Sequence, residues 1–188
     1  MKRLFWVAVA LAAAVFANAG FTLYAPTLMF SHAVERMAGE HGRNSFFILQ
    51  PEDQARLFPG LPRRAVIGLC EFDMSEGEVT LAADLPDTTW ITTIYTIKGQ
   101  PIYSVNNRQS GGNVFNVTLS RAPGFIESVI QSTDKEQPEI DSGWTVNSPE
   151  PKGLAVVWVP LAEAAMREET VAAMQRTRCL SGSVAPSQ

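Results

Sequence analysis

Thr89-Trp90-Ile91-Thr92-Thr93-Ile94-Tyr95-Thr96-Ile97 is made wholly of β-branched and aromatic residues. Such side chains lose rotamer freedom in a helix and fit a pleated, half-buried surface, so the run predicts a strand. Lys98-Gly99-Gln100-Pro101 supplies a turn, and Ile102-Tyr103-Ser104-Val105 supplies a second strand. Gly111-Gly112-Asn113 turns the chain again, into Val114-Phe115-Asn116-Val117-Thr118-Leu119. Turn signals at intervals of roughly ten residues are those of an antiparallel sandwich or barrel-like sheet.

Strands are predicted on either side of this centre at residues 46–49, 64–72, 78–81, 143–146 and 154–159. The last of these, Leu154-Ala155-Val156-Val157-Trp158-Val159, is apolar throughout, which predicts a central strand covered on both faces. Pro51 opens one helical turn from the position a helix favours for proline. Residues 123–131 are read as a helix and residues 131–139 as a surface loop. Residues 162–178 are read as an amphipathic helix with Ala165, Met166, Val171, Ala172 and Met174 inward. The fold class is therefore mainly β (α+β), a sandwich with helices at its two ends. One body is expected over residues 31–180, with a disordered tail over 181–188.

The N-terminus sets the expected compartment. Lys2 and Arg3 precede residues 4–31, which carry no formal charge. Residues 4–23 alone would rise roughly 30 Å as a helix, the thickness of a bilayer core. The basic pair keeps the N-terminus cytoplasmic and sends the body across, here into the periplasm from the inner membrane. Ala17-Asn18-Ala19 offers a small-x-small site, so cleavage after Ala19 is the alternative to a retained anchor over residues 1–30. Pro26 is expected to end the membrane helix, with a separate short helix at residues 31–37 that Gly42 stops. The net charge of −4 and pI near 5.2 lack the basic footprint that phosphate contacts need, so no nucleic-acid partner is expected.

Two cysteines, Cys70 on a predicted strand and Cys179 at the end of the last predicted helix, form a disulfide in an exported body. The alternative is a pair of separate buried thiols. Histidine occurs only at His32 and His41, before the folded body, which argues against a catalytic triad or a histidine metal site within it. No metal or other cofactor is expected, and no P-loop, GxGxxG or CxxC occurs. Glu71, Asp73, Asp84 and Asp87 gather near strand ends as acid–base candidates, although turn acids of this kind are common. Trp90, Tyr103, Asn106 and Arg108 are candidates for a polar, aromatic ligand mouth at a strand end. Their plain alternative is a core aromatic beside an Asn-rich turn.

Cys70-Glu71-Phe72-Asp73, Gly77, Val79, Trp90, Ile94-Tyr95, Gly99, Ile102 to Arg108 and finally Cys179 recur here in one order. In this the chain resembles the short, single-pass members of domain-of-unknown-function family twelve-fifty-four. The resemblance spans roughly residues 20–180 and implies a membrane or cell-envelope protein. It further implies a jelly-roll-like β-sandwich, half the length of two-domain relatives. A heteromeric partner, a related short envelope protein, follows from the same likeness. It carries no active site. The expected function is a structural or interaction subunit. A small-ligand or carbohydrate binding module is the alternative, and a carboxylate- or Tyr/Arg-based lyase or glycan-modifying enzyme the second.

Overall fold

A computed structural model of the chain describes residues 2–58, 60, 62, 64–122 and 143–182. Among the described residues nine strands form two sheets: β1 (Ser45–Ile48), β2 (Ala65–Asp73), β3 (Val79–Asp84), β4 (Ile91–Thr96), β5 (Pro101–Asn106), β6 (Val114–Arg121), β7 (Gly143–Ser148), β8 (Lys152–Pro160) and β9 (Arg178–Ser181). The larger sheet runs β1-β2-β8-β4-β5 and the smaller β7-β6-β3-β9. Every pairing is antiparallel except β6 with β7, which is parallel. A parallel pair needs a crossover of a dozen or more residues, and residues 122–142 supply that length. The helix and loop expected over residues 123–139 lie outside the described residues.

The two sheets close face to face, as the alternation in β4 requires: Thr92, Ile94 and Thr96 are buried between the sheets. Even-numbered Val66, Cys70 and Phe72 of β2 share that core with Val79 and Leu81 of β3 and with Val117 and Leu119 of β6. Aromatic rings run through it in sequence, Trp90 on Phe115 at 4.9 Å and Phe115 on Trp144 at 5.2 Å. β8 lies between β2 and β4 and is buried almost along its length, the central position its apolar run predicts.

Two sequence-based boundaries are corrected. One continuous helix, α1, covers Lys2–His41 and passes straight through Pro26. Proline there has no N–H for the Thr22 carbonyl, which ordinarily costs about 3 kcal/mol. The turns beyond it are held in the helix by packing, with Val34 and Met37 buried on the larger sheet. At the other end the expected helix of residues 162–178 shrinks to a 3₁₀ turn (Ala164–Met166) and α3 (Arg167–Met174). Cys179 is therefore not on a helix; it lies on β9, where it pairs with Leu81 of β3. Thr170 and Met174 are the buried residues of α3, while Ala165 and Ala172 are exposed. Strand pairing with β3 outcompetes the helical pattern because it completes the smaller sheet. A short helix α2 (Pro51–Leu57) does carry proline at its start.

Candidate functional site

The odd-numbered residues of β2 point away from the inter-sheet core. Ile67 and Leu69 pack there with Leu154 and Val156 of β8 and with Val34 and Met37 of α1. The last turns of the N-terminal helix thus form the lid of the larger sheet's outer face. Glu71 continues this row, and its side chain is 1% exposed. Neither of its carboxylate oxygens has a hydrogen-bond partner among the described residues. Arg43 approaches with Nε 3.9 Å from Oε1. Burial pushes the Glu71 carboxyl up to about 7, against the pull of Arg43 and Lys152.

Asp73 is held differently. Asn44, in the left-handed region at φ 53°, clamps the end of β2: its Nδ2 donates to the Asp73 carbonyl at 3.1 Å, and its Oδ1 accepts from the Asp73 N–H at 2.8 Å. Burial alone would raise the Asp73 carboxyl. Hydrogen bonds from the Ser75 hydroxyl and N–H, with Lys152 Nζ at 3.4 Å, outweigh that and hold it below the usual carboxylate range. Arg43 Nη1 lies 3.4 Å from the same carboxylate. Two carboxylates and two cations therefore cluster where α1 meets β2. The arrangement can store a proton near neutral pH, on Glu71, beneath the helix. The sequence signal for it is a single charge inside the apolar run Ala65-Val66-Ile67-Gly68-Leu69-Cys70-Glu71-Phe72.

The other candidate acids lie apart from this pair. Asp84 is tied to Arg176, with Oδ2 to Nε at 2.7 Å, and Asp87 accepts from Asn113 Nδ2 at 3.1 Å. His32 faces Glu35 at 4.0 Å, and His41 stacks on Phe47 at 4.0 Å. No group of three or more His, Cys, Asp or Glu that could hold a metal ion occurs among the described residues.

The four residues expected at a ligand mouth are distributed between core, turn and solvent. Trp90 is wholly buried between the sheets rather than lining a mouth, with its Nε1 donating to Asn113 Oδ1 at 3.4 Å. Tyr103 is half-buried against Trp144, and that burial raises its hydroxyl above the ordinary tyrosine value. Asn106 spends its side-chain oxygen on the N–H groups of Arg108 and Gln109, closing its own turn. Arg108 is exposed. An open groove of about 320 Å³ lies elsewhere, beside β1, lined by Phe46 to Gln50 with Arg167, Val171 and Gln175 of the α3 region. Arg167 is committed there to structure, donating to the Ala65 carbonyl at 2.9 Å.

Cys70 and Cys179 meet across the sandwich with Cα atoms 6.2 Å apart and close a disulfide. It ties β2 of one sheet to β9 of the other.

No protein-family model and no curated protein matches the chain. Among solved structures it is similar to the VPA0106 protein from Vibrio parahaemolyticus, with a TM-score of 0.56 at 10% identity. That match covers 88% of this chain and 40% of the other. A protein from Burkholderia cenocepacia matches with a TM-score of 0.44 at 12% identity, over 73% of this chain and 35% of that one. The chain spans less than half the length of either. At this identity the Vibrio likeness shows the fold alone.

Proposed function

We propose that the chain is a membrane-anchored structural subunit of the bacterial envelope, with its N-terminus cytoplasmic and its body periplasmic, pairing with a related β-rich protein. The observation that carries this is the division of α1. Its first part exposes Phe5, Trp6, Leu11, Phe16, Phe21 and Leu23, and is long and apolar enough to cross a membrane. Its last part buries Val34 and Met37 on the sheet. A helix that is both anchor and core supports retention over cleavage at Ala19, because cleavage would leave Phe21, Leu23, Tyr24, Leu28 and Met29 exposed on a stub.

A partner would find open sheet edges. The larger sheet ends in β1 and β5 among the described residues, and sheet edges with unmet backbone groups invite pairing. Extraction of tagged protein in mild detergent, followed by mass spectrometry of what copurifies, tests the reading. A stoichiometric small envelope protein is the expected result. Recovery of the chain alone would overturn the subunit role.

A further inference from the structure

The contacts of α1 fix the direction in which the body faces the bilayer. At one end of the docked segment Phe30 packs on Tyr95 of β4, with ring centroids 6.2 Å apart. A Cβ built on Gly99, in the β4–β5 turn, would lie 3.2 Å from the Phe30 ring. At the other end His41 stacks on Phe47 of β1. From Phe30 to His41 the helix rises about 16 Å at 1.5 Å per residue. From β4 to β1 there are three interstrand steps, about 14 Å. The two lengths agree only if the helix crosses the strands steeply, roughly 30° from perpendicular by these spacings. It therefore enters the sheet at the corner made by the β4–β5 turn and runs toward β1.

Followed backwards from Phe30, the same helix leaves the body on the β5 side. If residues 4–23 fill the hydrocarbon, Phe30 stands about 10 Å beyond its edge, at the outer margin of the headgroup layer. Tyr24, exposed on the helix, then falls at the interface that tyrosines favour. Lys98, Gln100 and Pro101 are exposed on the turn beside Phe30. Lys98 is paired with Glu150 of the neighbouring β7–β8 turn, so the corner is close to neutral and suits a phospholipid surface of either charge.

We infer that the β4–β5 turn, residues 97–101, rests on the phospholipid headgroups of the bilayer that α1 crosses, leaving β1 and its groove as the membrane-distal edge. This rests on the anchored reading of α1. The site is set by an unbroken helix that is packed on the sheet from Phe30 to His41, and it needs no charge attraction.

The test places a fluorophore at Gln100→Cys or, separately, Gln175→Cys in the full chain with the native disulfide retained. Gln175 is exposed beside the β1 groove and serves as the distal reference. The protein is reconstituted in phosphatidylcholine nanodiscs carrying a nitroxide-headgroup lipid. Emission at Gln100→Cys is expected to be quenched several-fold more than at Gln175→Cys. Lys98→Cys reports the same turn and should behave like Gln100→Cys should the latter fail to fold. Equal quenching in protein retained by the discs overturns the inference alone, showing a hinge between anchor and body. Protein that does not remain in the discs overturns the anchored reading together with it.

Discussion

The two faces of the five-stranded sheet are closed by different means. The inner face meets a second sheet, a stack of three aromatic rings and a disulfide. The outer face meets Val34 and Met37 on the last turns of a helix whose first part is apolar and exposed, and it buries a carboxylate without hydrogen bonds among the described residues. The inner face is self-sufficient, since both halves of its core come from the sandwich. The outer face depends on the last turns of α1, the helix whose first part is long and apolar enough to cross a membrane. The apolar helix is joined to the sandwich by packing rather than by a loose linker.

Removing that lid should produce the largest effect. A chain beginning at residue 42 uncovers Ile67, Leu69, Leu154 and Val156 together, and an apolar face of that kind drives association. It is expected to aggregate, whereas one beginning at residue 30 should remain monomeric; size-exclusion chromatography separates the outcomes. If both are equally soluble, the two faces do not differ as described.

Opening the disulfide tests the inner face. Its loop spans 109 residues, and Cys70→Ala with Cys179→Ala is expected to lose about 4 kcal/mol. Denaturant unfolding with and without reductant measures this. A loss indistinguishable from zero would mean that the sheets hold together by packing alone.

Glu71→Gln probes the outer face. The folded carboxyl sits well above its unfolded value, so the protein favours the protonated form. The stability this brings is present below about pH 4.5 and is lost as pH rises through about 7. At pH 8 the glutamine variant should be more stable by about 3 kcal/mol. Its stability should also no longer decline across that window from this source. Thermal unfolding at pH 5 and pH 8 reads both.

These effects locate what the sequence discloses. The nine-residue run at 89–97 and the apolar run at 154–159 declare strands by residue type; the first is a strand at Ile91–Thr96 and the second lies within β8. The chain could not disclose the parallel β6–β7 pair, since strand direction depends on the route of the crossover. It also misdirected at Pro26 and at residues 162–178. In each, local preference yields to a larger interaction: packing of the turns beyond Pro26 on the larger sheet in one, completion of the smaller sheet by Arg178–Ser181 in the other. The candidate site was half legible. Glu71 and Asp73 were visible as acids, but their partners Arg43, Asn44 and Lys152 arrive from distant positions that only the fold brings together.

The smallest expected change is at Arg108. It is exposed and has no ion pair among the described residues, so Arg108→Ala should alter stability by less than about 0.5 kcal/mol. A larger loss would reveal a role for the β5–β6 turn that its geometry does not show.

The most direct measurement is the intact mass of protein extracted from membranes, taken with and without reductant. The account predicts the full 20.5 kDa chain, lighter by two hydrogens before reduction. A mass short by residues 1–19 would show that α1 is cut at Ala19, and would contradict a helix that serves as both anchor and core.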